Sequence, residues 1–212
     1  MCFHSKQSKE ASEVQNRFNA KLDKPNLFKV QNNINAFDFP KTPVIIDINP
    51  NIITHYNWGL IPSWSADDEI KKMTINARIE TVNEKPSFKN SINKRCLIIA
   101  NGFYEWQWLD SKGKQKIKYE IGIGNEDLFA FAGLYSQWTD KNTGEIRDTY
   151  TMVTTEANEL MSRIHNIKKR MPIILKPEDE KKWLEHYPIN NFAFPYEVRL
   201  IEKNLSNFET LF

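Results

Sequence analysis

The chain has 212 residues, of which 40% are hydrophobic and 26% charged, and its formal net charge is +2. This composition is ordinary for one folded domain over residues 1–212, and the small charge argues against a protein that coats duplex DNA. Its two cysteines exclude a disulfide framework. The polar first residues hold no signal-peptide core and no apolar run is long enough to span a membrane, so we expect a cytoplasmic monomer with reduced thiols.

The first half of the chain carries few secondary-structure signals. Residues 5–40 are polar and weakly periodic, and we expect one helix around residues 8–22 followed by a long loop. The apolar run at 43–47 (PVIID) predicts a buried strand. The aromatic segment 58–64 (WGLIPSW) is interrupted by proline, which indicates an ordered loop. Residues 86–95 begin with proline and place two apolar residues four apart, which predicts a short helix.

The second half of the chain is richer in strand patterns. Residues 116–123 (KIKYEIGI) alternate apolar and polar side chains, which predicts a half-buried strand. Thr155 precedes apolar residues spaced three and four apart, which predicts a capped helix that ends near His165. Pro177 and the acids after it predict a helix that runs to about His186. Further strands are expected at 96–100, 128–135, 149–153, 170–175 and 197–203.

The order of these elements decides the expected fold class. Strands are interspersed with a few helices, and the chain lacks the regular alternation of strand and helix that builds a doubly wound sheet. We therefore expect an α+β fold in a single domain, with a mostly antiparallel, barrel-like β-sheet core and peripheral helices.

Cys2 is the first candidate for chemistry. If Met1 is removed, Cys2 carries an α-amine with a pKa of about 8 and a thiol with a pKa of about 8.5 on adjacent carbons. The amine can form a Schiff base with an aldehyde, and the thiol can then add to the imine carbon and close a five-membered thiazolidine ring. The simpler alternative is that a cysteine after Met1 is a chance residue in a frayed terminus.

A set of motifs gives this cysteine a context. The motifs are MC at the start, WGLIPSW (58–64), NARIET (76–81), GFYEW (102–106), TTEANELM (154–161) and IHNIKKRMPIIL (164–175). With these motifs the chain resembles the SOS-response-associated peptidase (SRAP) family, the abasic-site processing proteins, from Cys2 to about Glu180. The resemblance implies an N-terminal cysteine that crosslinks to abasic sites in single-stranded DNA, and a lyase or release activity.

The resemblance implies three catalytic partners for Cys2. Asn76 can hold the α-amine or a sugar hydroxyl without adding charge, although asparagine is also common in turns. Glu105, among aromatic neighbours, can shuttle protons, unless it faces solvent. His165 is the acid or base for sugar-ring opening or strand cleavage, and its structural alternative is a histidine that caps a helix end.

The resemblance also indicates which side chains contact DNA. Arg78 and Arg170 would hold phosphates beside the lesion, because guanidinium forks match phosphate geometry, and His4 would add a weaker contact. The alternatives for the arginines are ordinary ion pairs or a solvated loop. The candidates for stacking on bases are Trp58, Trp64 and Trp106. The alternative for these tryptophans is a position in the core.

Two departures from the family pattern lie beside these residues. Phe3 and His4 follow Cys2, where family members often have Gly-Arg. Residues 166–169 separate His165 from Arg170, where the family has a one-residue spacer. The extra residues could bulge outward and leave His165 in place, or they could shift it.

Two other functions stay open at this point. One is a cysteine peptidase or amidase in which His165 activates Cys2, and the other is a non-catalytic nucleic-acid-binding module in which Cys2 is dispensable. Metal and cofactor sites are not expected, because the cysteines and histidines have no recognised zinc spacing and the chain has no Gly-rich phosphate loop.

Overall fold

The computed structural model of the chain describes residues 2–125 and 127–206. Within those residues it contains three α-helices, α1 (Ala11–Phe18), α2 (Glu159–Ile164) and α3 (Pro177–Leu184). The strands, in chain order, are β1 (His4–Gln7), β2 (Lys21–Leu22), β3 (Gln31–Asn35), β4 (Lys41–Ile46), β5 (Ile52–Trp58), β6 (Asn76–Arg78), β7 (Arg95–Ala100), β8 (Gly102–Trp108), β9 (Lys116–Gly122), β10 (Phe129–Thr139), β11 (Ile146–Glu156), β12 (Arg170–Pro172), β13 (Ile174–Leu175) and β14 (Ile201–Asn204).

Five strands close into a barrel. The order β11-β10-β7-β4-β5 runs antiparallel from neighbour to neighbour. Strand β5 then returns to β11 and pairs with it in parallel, with Asn57 opposite Thr149 and Trp58 opposite Tyr150. Four short strands pair with individual barrel strands: β2 with β5, β6 and β12 with β11, and β13 with β10. The predicted α+β class with a mostly antiparallel, barrel-like core is confirmed.

The barrel wall is apolar on both faces. Along β4, Val44 and Ile46 belong to one core cluster and Ile45 to another, as expected because successive side chains of a strand point to opposite sides. The first cluster continues into the second sheet, and the other continues into α1 and α3. This double burial explains why the segments around 43–47 and 96–100 are continuous apolar runs.

The second sheet carries the start of the chain. Its order is β14-β9-β8-β1-β3, with every pair antiparallel. Strand β1 lies between two neighbours, so that His4 is opposite Tyr104 on β8 and Asn35 on β3. Cys2 therefore lies two residues before the start of a strand that is paired on both sides.

Several predicted elements are confirmed with shifted ends. The predicted strands at 96–100, 116–123 and 149–153 correspond to β7, β9 and β11, and those at 43–47 and 128–135 to β4 and β10. The predicted strand at 170–175 is divided into β12 and β13, and only the end of the predicted strand at 197–203 is observed, as β14. The helix expected from Pro177 ends at Leu184.

Other predictions are wrong in ways that have a physical cause. The helix expected over 86–95 reduces to a single 3₁₀ turn at Lys89–Ser91, in a segment held by i→i−3 and isolated i→i−4 bonds. The helix expected over 8–22 covers only α1, because Asn19 adopts a left-handed conformation that ends it. The last two residues of that predicted helix form β2, the long loop expected after it up to residue 40 contains β3, and β1 lies before α1.

The predicted cap of α2 is also corrected. Thr155 lies in β11, and its hydroxyl accepts a hydrogen bond from Phe194 N. The cap is Asn158, whose Oδ1 accepts from Met161 N at 2.9 Å. An asparagine three residues before that N–H satisfies one of the unpaired donors of the first turn.

Within residues 2–125 and 127–206, no helix has both the length and the apolar character needed to cross a membrane.

Candidate active site at the start of strand β1

Cys2 is fully buried and belongs to the core cluster that links the barrel to the second sheet. Its Sγ lies 3.5 Å from the carbonyl oxygen of His4, to which the thiol donates. Burial raises the pKa of the Cys2 thiol well above its ordinary value, and the negative charge of Glu105 raises it further. At neutral pH the side chain is therefore a thiol, not a thiolate.

Asn76 is hydrogen-bonded to the backbone of Cys2. Its Nδ2 donates to the Cys2 carbonyl oxygen at 2.9 Å, and its Oδ1 is buried and accepts no hydrogen bond from the part of the chain that the structure describes. Asn76 begins β6, which pairs in parallel with β11 so that Asn76 lies opposite Met152. The amide thus fixes Cys2 and also offers a buried acceptor beside it.

The residue before Asn76 is fixed by Trp58. The indole Nε1 donates to the Ile75 carbonyl at 2.9 Å, and the ring stacks on Tyr150 with centroids 6.0 Å apart. Trp58 is fully buried, so the predicted stacking of Trp58 on a DNA base is wrong and the core alternative is correct. Gly59 follows with φ +116°, and a Cβ there would lie 2.9 Å from the Phe39 ring.

Glu105 is a buried acid on the same face as Phe103. Phe103 belongs to the core cluster of Cys2, and side chains two apart on a strand share a face. The charge of Glu105 acts on the Cys2 thiol, so the two side chains lie near each other. Burial raises the pKa of Glu105 to about 7, and a hydrogen bond from the Trp106 backbone opposes that rise only in part. An acid with this pKa both accepts and releases protons near neutrality.

His165 is the residue at which α2 ends. Its Nδ1 lies 2.8 Å from the carbonyl oxygen of Arg170 and 3.3 Å from the Arg170 backbone nitrogen. We assign the ring proton to Nδ1 on the shorter of these two contacts, with Nε2 as the unprotonated nitrogen. Burial lowers the pKa of His165 to about 4, so the ring is neutral at pH 7. Helix α2 packs on β8, which brings His165 to the strand that carries Glu105.

The Arg170 side chain is buried, and its guanidinium pairs with other groups of the protein. Its guanidinium makes a two-pronged ion pair with Glu80, both contacts at 2.8 Å, and donates to the Thr154 carbonyl at 2.8 Å. Only 7% of Arg170 is exposed. The phosphate contact predicted for Arg170 is therefore not supported: this guanidinium fork already binds a carboxylate, and it joins the NARIET and RMP motifs to each other.

The other predicted DNA contacts lie on or near the surface. Arg78 is exposed, and Trp64 is 49% exposed, with its Nε1 donating to the Pro86 carbonyl. Trp106 is half-buried and packs against the His4 ring in an edge-to-face arrangement, with ring centroids 5.0 Å apart. His4 Nδ1 is also 3.1 Å from Asn33 Oδ1. All four side chains are at least partly exposed, and their contact with DNA stays a prediction.

Sequence reasoning missed two residues that shape the site. Glu80, inside the NARIET motif, pairs with Arg170 and so holds the segment that contacts His165. Asn166 bonds to both peptide groups of Trp108. A signal existed for Glu80, because it is an acid of one motif and Arg170 is a base of another. Nothing in the sequence distinguished Asn166.

Cys96, the second cysteine, belongs to the same core cluster as Cys2. It is fully buried in β7, burial raises the pKa of its thiol, and its Sγ would be 2.6 Å from a Cβ added at Gly133. Among the described residues, no three histidine, cysteine or acidic side chains come together in a group that could hold a metal ion.

Comparison with known proteins decides the family. The family model described as SOS response associated peptidase (SRAP) matches residues 1–199. The chain belongs to the SRAP family. The abasic site processing protein YoqW of Bacillus subtilis (strain 168) is 48% identical to this SRAP chain over 144 residues, which cover 66% of the chain and 61% of YoqW. The abasic site processing protein HMCES of Xenopus tropicalis is 32% identical over 193 residues, which cover 76% of the chain and 56% of HMCES. Each match spans less than two thirds of the relative.

Solved structures agree with the fold of this SRAP chain. A crystal structure of a protein from Bacteroides thetaiotaomicron is 36% identical, with a TM-score of 0.87 over 97% of this chain and 93% of the other. A protein from Bordetella bronchiseptica has the same fold at 23% identity, with a TM-score of 0.80 over 96% of this chain and 99% of the other.

Proposed function

We propose that this SRAP chain processes abasic sites in single-stranded DNA, as a monomer, by forming a covalent adduct through Cys2. The observation that carries the proposal is the clamp on Cys2: Asn76 holds its carbonyl at 2.9 Å, and Glu105, with a pKa raised by burial to about 7, lies on the same side. The relatives YoqW and HMCES, both named abasic site processing proteins, support the choice of substrate.

The first step joins nitrogen to carbon. After hydrolysis of the Met1–Cys2 peptide bond, by the chain itself or by an aminopeptidase, the α-amine of Cys2 attacks the aldehyde carbon of the ring-opened deoxyribose. Glu105 in its carboxylate form takes a proton from the nitrogen, and in its acid form gives one to the departing hydroxyl. One water leaves, and a Schiff base remains.

The second step uses the thiol. Sγ of Cys2 adds to the imine carbon and closes a five-membered thiazolidine, while the thiol proton ends on the ring nitrogen. No oxidant or reductant is needed, and the net change is aldehyde plus aminothiol to thiazolidine plus water. A thiol that is protonated at neutral pH suits this order of events, because the amine acts first.

Asn76 and His165 have separate roles. The buried Oδ1 of Asn76 accepts a hydrogen bond from the new amine and orients it towards the aldehyde. His165, neutral at pH 7 because burial lowers its pKa to about 4, takes protons through Nε2 during opening of the sugar ring, during strand cleavage and during release of the adduct.

The DNA is held by a small set of surface residues. Arg78 contacts a phosphate beside the lesion, and Trp64 and Trp106 stack on the neighbouring bases. His4 adds a polar contact. A net charge of +2 provides little affinity for duplex DNA in general, so recognition depends on the aldehyde and on these contacts.

Incubation with a single-stranded oligonucleotide that carries one abasic site tests the proposal. We expect an adduct that survives denaturing electrophoresis, its absence with Cys2→Ala, and its retention with Cys96→Ala, the matched buried cysteine. Intact-mass measurement must show loss of Met1 in the reactive protein. An adduct formed by Cys2→Ala, or by protein that retains Met1, would contradict the mechanism.

The peptidase hypothesis receives less support. A cysteine peptidase needs a thiolate as its first nucleophile, whereas burial raises the pKa of the Cys2 thiol well above its ordinary value. The adduct begins with the α-amine and has no such requirement. We restrict any peptide hydrolysis to removal of Met1.

A further inference from the structure

The turn after α2 contains residues 166–169, the long spacer between His165 and Arg170. Its conformation shows where the extra residues lie. Lys169 N donates to the His165 carbonyl at 2.9 Å, and Lys169 adopts a left-handed conformation with φ +47°. The side chains of residues 167–169 are exposed. The three extra residues therefore project outward, and the chain returns to β12 as if they were absent.

Asn166 ties this turn to strand β8. Its Nδ2 donates to the Trp108 carbonyl at 2.8 Å, and its Oδ1 accepts from Trp108 N at 3.2 Å. One side-chain amide thus pairs with both peptide groups of one residue, as a neighbouring strand would. Trp108 ends β8, three residues beyond Glu105.

A second attachment holds the other end of the turn. His165 Nδ1 contacts the carbonyl of Arg170, and the Arg170 guanidinium is fixed by Glu80 on both prongs. This attachment orients the imidazole within its own turn. The Asn166 attachment is different, because it sets the distance between that turn and the strand of the acid.

We propose that Asn166 is a positioning residue that holds His165 in register with Glu105 by fastening the turn after α2 to the end of β8. This inference rests on the proposed function. Displacement of a catalytic group by about 1 Å can cost about 100-fold in rate. Asn166 is half-exposed and the Arg170 attachment remains in its absence, so we expect loss of Asn166 to slow adduct formation by about 10-fold.

Three variants of the full chain separate this role from general loss of structure. Asn166→Leu removes both bonds at similar volume. Asn166→Asp keeps the acceptor for Trp108 N and loses the donor, so its effect should be intermediate. Ile167→Ala, in the same turn with an exposed side chain, is the control, and its rate should equal that of the wild type.

Two readouts are measured for each variant. The first is the single-turnover rate of adduct formation with the abasic oligonucleotide. The second is the titration of His165, followed by nitrogen chemical shifts in the protein without DNA. In the wild type we expect a neutral ring with the proton on Nδ1 and a pKa near 4. In Asn166→Leu the turn loosens, water reaches the ring, and the pKa rises towards its ordinary value of 6.5.

Each outcome decides a question. A slower Asn166→Leu with a raised His165 pKa supports the positioning role. An unchanged rate overturns it, and so does a slower rate with wild-type titration of His165, because Asn166 would then act elsewhere. If the wild type forms no adduct, the proposed function fails, whereas the titration still shows whether Asn166 holds His165.

Discussion

Replacing Glu105 by glutamine removes a buried ionisable group and keeps the shape of the side chain. Glu105 is only 5% exposed, and burial raises its pKa from the ordinary 4.5 to about 7. Between these two values the folded protein binds a proton that the unfolded chain releases. Stability must therefore fall as pH rises from about 4.5 to about 7, and stay low above that range.

The size of the effect follows from the same pKa. A rise of about 2.5 in pKa corresponds to about 3.5 kcal/mol, at about 1.4 kcal/mol for each power of ten. Glutamine has no charge to bury, so Glu105→Gln should be more stable than the wild type by up to about 3.5 kcal/mol at pH 8. At pH 4 the wild-type carboxyl is already protonated, and the two proteins should agree within about 1 kcal/mol.

Urea unfolding at pH 4, 6 and 8 measures this difference. Glu84→Gln, at an exposed position, is the matched control, and its stability should follow the wild type at every pH. Adduct formation should fall in Glu105→Gln, because glutamine cannot exchange protons. A stability difference that is the same at pH 4 and pH 8 would refute the argument that Glu105 carries a buried charge.

Three further variants test separate parts of the structure. Trp58→Phe removes the indole donor to the Ile75 carbonyl, which keeps its hydrogen bond from Met152 N, and it leaves a cavity in the core. It should lower the free energy of unfolding by about 1 to 3 kcal/mol in urea titrations; a change below about 0.5 kcal/mol would place Trp58 outside the core. Arg78→Ala should weaken binding to single-stranded DNA and lower the salt-dependence slope by about one in fluorescence anisotropy, without loss of stability; an unchanged slope would remove Arg78 from the interface. Cys96→Ala should cost about 1 kcal/mol and leave the adduct yield on denaturing gels unchanged, whereas loss of the adduct would mean that Cys2 is not the only cysteine involved.

The apolar elements of the fold could be predicted from the sequence, and the polar ones could not. Strand β7 is a continuous apolar run and β9 alternates, so their patterns were sufficient. Strand β1 is polar, yet Ser5, Lys6 and Gln7 are all buried. Lys6 is compensated by Glu120, 2.6 Å away and distant in sequence. A buried ammonium group needs a paired acid of this kind, and no local sequence pattern reports a partner so distant in the chain.

The candidate site shows the same division. The motifs identified Cys2, Asn76, Glu105 and His165 as a set, and the structure joins Cys2 to Asn76 and turns Glu105 towards them. The phosphate contact of Arg170 was predicted from residue type alone, and the structure instead pairs Arg170 with Glu80. A guanidinium suits a phosphate and a carboxylate equally well, and whether a protein acid occupies it depends on tertiary contacts.

The place of β1 in its sheet has a mechanical consequence. The end of a chain is ordinarily the first part to fray and to be digested. Here the strand that follows Cys2 is hydrogen-bonded on both sides, whereas β14, near the other end of the chain, lies at the edge of the same sheet. A force applied to Cys2 along the direction of β1 therefore acts in shear on the hydrogen bonds to β3 and to β8 at the same time.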